Sequence, residues 1–171
     1  MRRDGMRGIA LLDVLIALAV LGIVLSVVLP AALSLYARAA VEYEAVHLIG
    51  ELRRIQAISR MSERLDMLPG RRSWERMPRL RIQSDGYVLR RPFGSDLRVH
   101  ETLPLVRFKQ ETTVNMPVVF NAYGNISNDW SHNMTIRVYV AGHEEDALRV
   151  VIDRAARIRL HRGEENALAE E

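Results

Sequence analysis

Hydrophobic residues are distributed unevenly along the chain, and one continuous apolar stretch lies near its amino terminus. From Ile9 to Leu29 the only formally polar side chains are Asp13 and Ser26. As an α-helix this stretch would be about 31 Å long, which matches the hydrocarbon core of a bilayer. The pattern therefore predicts one membrane-spanning helix over residues 9–30, and no other segment of the sequence is apolar enough to cross a membrane.

The helical pattern continues beyond Pro30 but becomes amphipathic. Apolar residues recur at steps of three and four positions and form one stripe, which consists of Val41, Ala45, Leu48, Leu52 and Ile55. The spacing predicts that residues 31–66 form an amphipathic helix that packs on its own domain rather than in a separate coiled coil. Because Pro30 has no amide hydrogen, we expect it to kink or loosen the helix locally.

After residue 66 the pattern changes from helical to alternating. A loop-like segment, LPGRRSWERMP, is followed by eight short candidate strands: PRLRIQ, YVLRR, DLRVHETL, LVRFKQ, MPVVFN, MTIRVYV, LRVVID and ARIRLHR. Short strands with tight connections such as Ser-Asp-Gly indicate an antiparallel sheet, here over residues 67–163, whereas AGHEEDA is predicted to be a solvated loop. The fold class is therefore α+β, with a long amino-terminal helix packed on an antiparallel β-sheet and an acidic tail at 164–171.

Composition and motifs argue against an enzyme. The chain contains no cysteine, which excludes structural disulfides, thiolate zinc sites and cysteine nucleophiles. Its five histidines show no HExxH spacing and no evident pairing with carboxylates, and the sequence has no P-loop, G-x-S-x-G or dinucleotide-binding motif. The sequence thus predicts a non-enzymatic protein with no cofactor and no metal site.

Charged residues near the apolar stretch narrow its interpretation. Arg2, Arg3 and Arg7 precede it, and the positive-inside rule would keep them in the cytoplasm. A secretory signal peptide would have a shorter apolar core followed by a small-residue cleavage site. A plain signal anchor would fit the length but would leave Asp13 unexplained, because a carboxylate inside a membrane is costly unless it is paired or close to the interface.

The amino-terminal segment resembles the class III signal of type IV pilins and pseudopilins. In that family a short basic leader ends in glycine, prepilin peptidase cuts after this glycine on the cytoplasmic side, and an acidic residue occupies the fifth position of the mature chain. Here Gly8 would end the leader, Ile9 would be the new amino terminus and Asp13 the fifth residue, while Gly22 and Pro30 fall where such helices usually carry Gly and Pro. Two positions depart from the pattern, since Ile9 replaces the commonest Phe and Asp13 the usual Glu.

The resemblance implies a processing and assembly pathway. Residues 1–8 would be the leader that prepilin peptidase removes, Ile9 would be N-methylated, and Asp13 and Pro30 would serve filament assembly. The acid would pair with the terminal amine of a neighbouring pilin or pseudopilin subunit and set the axial register. The protein would first lie in the bacterial inner membrane as a single-pass protein with a cytoplasmic amino terminus, and then in a periplasmic or cell-surface filament.

The carboxyl-terminal half is similar to the FimT/GspH group of minor pilins and pseudopilins, and also to the competence pseudopilins of the ComG type. The resemblance lies in the segments VVFNAYGNIS, MTIRVYV and LRVVIDRAARIRL. It implies a minor subunit of a type IV pilus-like filament, either serving DNA uptake or, alternatively, a type II secretion system in which a GspH-like pseudopilin contacts protein substrates.

Basic residues near the end of the predicted sheet suggest a partner. Arg157, Arg159 and His161 alternate with apolar residues and are predicted to share one face, as phosphate contact requires. FimT-like proteins carry a Gly-Arg-x-Arg element implicated in DNA contact, and Ala156-Arg157-Ile158-Arg159 is similar but lacks the glycine. The candidate DNA-binding residues are Arg154, Arg157, Arg159 and Arg162, and Arg149 is expected to lie nearby. The alternative is an ordinary solvated strand face, neutralised by the acidic tail.

Overall fold

The computed structural model of the chain describes residues 4–62, 77–91, 96–111, 116–126 and 134–162, with the backbone alone at 4–11, 96 and 97. One helix, α1 (Asp4–Met61), precedes eight strands. These are β1 (Arg79–Gln83), β2 (Gly86–Arg90), β3 (Asp96–Glu101), β4 (Val106–Gln110), β5 (Val118–Val119), β6 (Met134–Val140), β7 (His143–Ile152) and β8 (Ile158–Arg162). The predicted α+β class is confirmed. The chain divides into two compact units between Arg38 and Ala39.

Helix α1 is continuous through Pro30, so the two predicted helical segments are one element. Its serines bond within the helix, since Ser26 Oγ donates to the Ile23 carbonyl at 2.7 Å and Ser34 Oγ to the Ala31 carbonyl at 2.9 Å. A hydroxyl satisfied in this way is tolerated in an apolar environment. The helix ends at Met61, before the predicted end at residue 66, and residues 63–66 lie outside the described part of the chain.

The eight strands form two antiparallel sheets of four strands where the sequence predicted one. Sheet A has the order β3-β2-β1-β5 and sheet B the order β4-β6-β7-β8. The predicted Ser-Asp-Gly hairpin is confirmed, because Gln83 pairs with Gly86 across the turn. Gly86 is required by close packing, since a Cβ there would lie 2.0 Å from the carbonyl oxygen of His100 on β3.

Strand β7 begins earlier than predicted. The prediction of a loop at AGHEEDA is wrong for its last five residues, because β7 starts at His143. His143 pairs with Val140, which leaves a two-residue turn whose second residue is Gly142 at a φ of 87°. Such tight hairpins need positive φ and therefore favour glycine. The acidic residues that follow are exposed, and their polarity led to the prediction of a loop where a strand begins.

The core of the second unit lies between α1 and the two sheets. All five residues of the predicted helical stripe are buried, with Ala45, Leu48, Leu52 and Ile55 at 0% exposure. They join one apolar cluster with residues from both sheets, which include Leu80, Tyr87, Leu89, Phe108, Val118, Phe120, Ile136, Val138, Val150 and Ile152. The stripe is thus the surface by which the carboxyl-terminal half of α1 is held to its own domain.

Candidate functional surfaces: an exposed apolar helix and a basic sheet face

The amino-terminal half of α1 exposes an apolar surface. Between Leu12 and Leu29 every large aliphatic side chain is exposed, from 49% at Leu25 to 71% at Val27. In the part of the chain that the structure describes, α1 is the one helix long and apolar enough to cross a membrane. In functional proteins, a contiguous apolar surface of this size is covered by lipid or by other subunits.

Asp13 is the only formally charged residue between Leu12 and Leu29, and its side chain is exposed on this apolar surface. Gly8 and Ile9 both lie within α1, where the structure gives their backbone alone. Around Gly22 the space is open, since an added Cβ would meet nothing within 4 Å. The predicted processing and assembly residues therefore lie along one helical segment, and their roles stay predictions.

The second candidate surface is the outward face of sheet B. Strand β6 shows how this face is separated from the core, because Met134, Ile136 and Val138 are buried while the alternating residues Thr135 and Arg137 are partly exposed. Alternation of this kind places one set of side chains in the core and the other toward solvent. Neighbouring strands follow the same rule, so paired residues on the outward face can be read from the register.

The register aligns four basic residues across all four strands of sheet B. Lys109 pairs with Arg137, Arg137 with Arg149, and Arg149 with His161. We call these four residues the basic row. Side chains directly opposite each other in an antiparallel pair are close neighbours, and like charges in that position are destabilising. Binding of an anionic partner would reduce this repulsion.

Acidic residues neutralise part of the basic row. Arg137 Nε lies 2.5 Å from Glu111 Oε1. The two groups form an ion pair, but their angle is unsuitable for a hydrogen bond. Lys109 Nζ lies 3.5 Å from Glu144 Oε2, and both of those side chains are about half exposed. A pair as exposed as Lys109–Glu144 is weak, so the charge of Lys109 is only partly neutralised.

The four arginines predicted to contact DNA are in different environments. Arg159 is exposed on β8 and has the same strand parity as His161, so it extends the basic row. Arg162 has the opposite parity and pairs with Glu42 of α1. Arg154 and Arg157 precede the strand and are exposed. The structure therefore brings Arg159 to the face that carries the basic row and directs Arg162 elsewhere.

A tight turn fixes Arg157 before β8. Asp153 Oδ1 accepts from the Arg157 amide at 2.9 Å, and Asp153 Oδ2 accepts from Arg157 Nε at 2.6 Å. Burial opposes ionisation of Asp153, but these bonds outweigh it and hold the pKa of the carboxyl below its ordinary value. Ala156, where the FimT-like pattern has glycine, adopts a φ of 57°, so the turn keeps the backbone conformation that glycine favours.

Lys109 and Arg137 are the residues of this face that the sequence analysis missed. Each occupies a polar position in an alternating strand, which is the ordinary signature of a solvated face. Their alignment depends on which strands pair and in which register. Neither can be read from one sequence when the strands of two sheets are interleaved along the chain.

The fold has counterparts among solved structures. The chain is similar to the type IV minor pilin FimU of Pseudomonas aeruginosa in two crystal forms. For one form the identity is 15% and the TM-score 0.50, covering 72% of this chain and 91% of FimU. For the other the identity is 14% and the TM-score 0.52, covering 74% and 88%.

Comparison at the level of sequence found no such relative. No protein-family model matches the chain, and no curated protein sequence matches it. The long amino-terminal helix and two antiparallel sheets of this chain nevertheless match the α+β fold of these structures. The chain therefore has the type IV pilin-like α+β fold that its sequence predicted.

Proposed function

We propose that this chain is a minor pilin or pseudopilin subunit that assembles into a type IV pilus-like filament through α1. The observation that carries the proposal is the exposed apolar surface from Leu12 to Leu29, which is charged only at Asp13. Helices of this kind can be stored in a bilayer and then packed against one another in a filament. Head-to-tail contacts that do not close into a ring generate such helical assemblies.

Processing precedes assembly in this proposal. The basic residues of 1–8 hold the amino terminus in the cytoplasm, prepilin peptidase cuts between Gly8 and Ile9, and the new terminal amine of Ile9 is methylated. The membrane in question is the inner membrane of a bacterium, and the folded second unit lies on its far side. The pilin-like fold supports this topology, because the apolar segment precedes the domain that must be translocated.

Removal of the leader is the first testable consequence. Intact-mass spectrometry of protein from cells that contain prepilin peptidase is expected to show a chain that begins at Ile9 and carries one added methyl group. Protein from cells without the peptidase is expected to retain Met1–Gly8. Gly8→Val should block the cut because the bulky side chain replaces the small residue before the scissile bond. A chain that keeps its leader in peptidase-containing cells would contradict the proposal.

DNA is the second candidate partner, and the basic row favours it. Arg149 lies in the row beside exposed Arg159, which places two guanidinium groups on one sheet face. Phosphate contacts are ionic and independent of base sequence, as uptake of arbitrary DNA would require. The alternative is a type II secretion pseudopilin that contacts protein substrates, for which DNA affinity is not needed.

Salt dependence distinguishes these alternatives. The full chain in detergent micelles is expected to bind double-stranded DNA with an affinity that falls as salt rises. The double substitution Arg149→Gln/Arg159→Gln should reduce the slope of log K against log salt by about 2, because each lost phosphate contact removes roughly one released counterion.

Arg81→Gln provides the matched control, since Arg81 is an exposed arginine on β1 of the other sheet. It should leave the slope unchanged. An equal loss in Arg81→Gln and in the double variant would indicate non-specific charge attraction. Absence of salt-dependent binding in the unsubstituted protein would favour the secretion alternative.

A further inference from the structure

Polar side chains form a continuous contact between α1, β2 and β3 at the edge of the core. On α1 the contributing residues follow the spacing Glu-x-x-His-x-x-x-Glu, which places them on one helix face. Strands β2 and β3 supply residues that meet this face. We call the six residues the polar seam: Glu44, His47, Glu51, Tyr87, Arg98 and His100.

Glu44 is the most deeply buried acid of the seam, with 1% of its surface exposed. Its Oε2 lies 2.8 Å from His100 Nε2, and its Oε1 accepts a hydrogen bond from the Leu103 amide at 2.9 Å. A buried carboxylate is costly unless cationic or hydrogen-bonding partners compensate for lost water. The fold thus places a carboxylate where solvent cannot stabilise its charge.

His47 completes a cluster around this carboxylate. Its Nδ1 lies 2.7 Å from the hydroxyl of Tyr87, and its ring centroid is 4.4 Å from that of His100. Burial raises the pKa of Tyr87 well above its ordinary value, and the charge of Glu51 raises it further. The phenol therefore keeps its proton and stays able to exchange a hydrogen bond with the imidazole.

Two arginines of this region, Arg54 and Arg98, contact Glu51 rather than Glu44. Arg98 Nη1 lies 2.8 Å from Glu51 Oε1, and Arg54 Nη1 lies 3.7 Å from the same oxygen. Glu44, in contrast, faces imidazoles and a backbone amide. Donor atoms of two imidazoles and one carboxylate therefore converge at this end of the seam, an arrangement suited to an added cation.

We propose that Glu44, His47 and His100 form a binding site for a transition-metal dication of the Zn²⁺ type. Each residue offers one ligand atom, and these atoms lie within 4.8 Å of one another. Two imidazole nitrogens and one carboxylate oxygen are a donor set that zinc uses, with a fourth position open to water. Ca²⁺ and Mg²⁺ prefer oxygen ligands and are selected against.

Metal binding requires a local adjustment. Bonds of about 2.0–2.1 Å in a tetrahedral site place ligand atoms roughly 3.3 Å apart. Glu44 Oε2 and His100 Nε2 would separate slightly from 2.8 Å, and the partly exposed ring of His47 would turn toward them. Tyr87 would then accept from the protonated Nδ1 of His47 and orient its ring, as outer-shell partners of metal-binding histidines commonly do.

A bound metal would link α1 to β3. His100 follows Glu44 by 56 residues, so the site closes a long loop in a chain that has no cysteine for a disulfide. Because the unfolded chain lacks the assembled site, metal binding would favour the folded state. Because His100 lies far along the chain from the Glu44 and His47 pair, the sequence alone did not reveal the three-residue donor set.

Titration of metal-free full-length protein in detergent micelles, without any added polyhistidine, tests the site. Zn²⁺ is expected to bind with one-to-one stoichiometry and to raise the melting temperature, and Co²⁺ to develop the visible absorption of a four- or five-coordinate site. Ca²⁺ and Mg²⁺ should have no comparable effect. Absence of saturable Zn²⁺ binding by the folded protein would overturn the proposal.

Substitutions locate the binding. His100→Gln and His47→Gln should each weaken Zn²⁺ binding at least about 100-fold, and Tyr87→Phe about 10-fold, because loss of a ligand exceeds loss of its supporting bond. His143→Gln is the matched control, since His143 is exposed at the start of β7, and it should bind like the unsubstituted chain. Equal affinity in His47→Gln and His143→Gln, both folded by circular dichroism, would overturn the assignment even if His100→Gln proved unstable.

Discussion

Asp13→Ala is expected to leave the protein in the membrane and to reduce its incorporation into filaments by at least about a hundredfold, because removing one partner of a buried ion pair costs about 3–5 kcal/mol. The reason is electrostatic. The proposed cleavage after Gly8 would create a positive amine at Ile9, and packing of apolar helices would bury that amine away from water. Asp13 of a neighbouring subunit can neutralise it, whereas an alanine leaves the charge unpaired. The remaining apolar surface of α1 still supports insertion into the bilayer.

The measurement is the ratio of the protein in sheared filaments to that in the membrane fraction of cells that make the filament. Asp13→Glu introduces the residue usual in type IV pilins and should preserve incorporation. Ser26→Ala is the matched control, because it removes the other polar side chain of the segment, whose hydroxyl bonds within its own helix. If Asp13→Ala enters filaments as efficiently as Ser26→Ala, pairing of the acid with an amine has no role in assembly.

The fold was predictable where a local pattern had a single structural solution. The stripe that includes Leu48 and Ile55 follows the helical period, and its burial is confirmed. Each of the eight predicted strand segments overlaps an observed strand, because short apolar or alternating runs bounded by turn residues favour strands. The start of β7 was mispredicted because exposed acids at an edge are compatible with either a loop or a solvated strand end.

The candidate sites depended on long-range pairing and were harder to predict. Gly8, Ile9 and Asp13 were identified from a local motif, so one sequence was enough to name them. Alignment of Arg137 with Arg149 depends on the pairing of β6 with β7, and that register cannot be predicted from local sequence. The polar seam likewise joins a helix to strands far along the chain, where only tertiary packing brings the ligands together.

Leu52→Ala is expected to destabilise the second unit by about 2–5 kcal/mol, the range for truncating a buried leucine, and to lower its melting temperature by roughly 10 °C. Leu52 is fully buried at the centre of the helical stripe, so its loss leaves a cavity between α1 and the sheets. Val46→Ala on the same helix is the matched control, because Val46 is 56% exposed, and it should change stability by less than about 0.5 kcal/mol. Thermal melting followed by circular dichroism in detergent measures both, and similar melting temperatures for the two variants would mean that the stripe does not hold α1 to its domain.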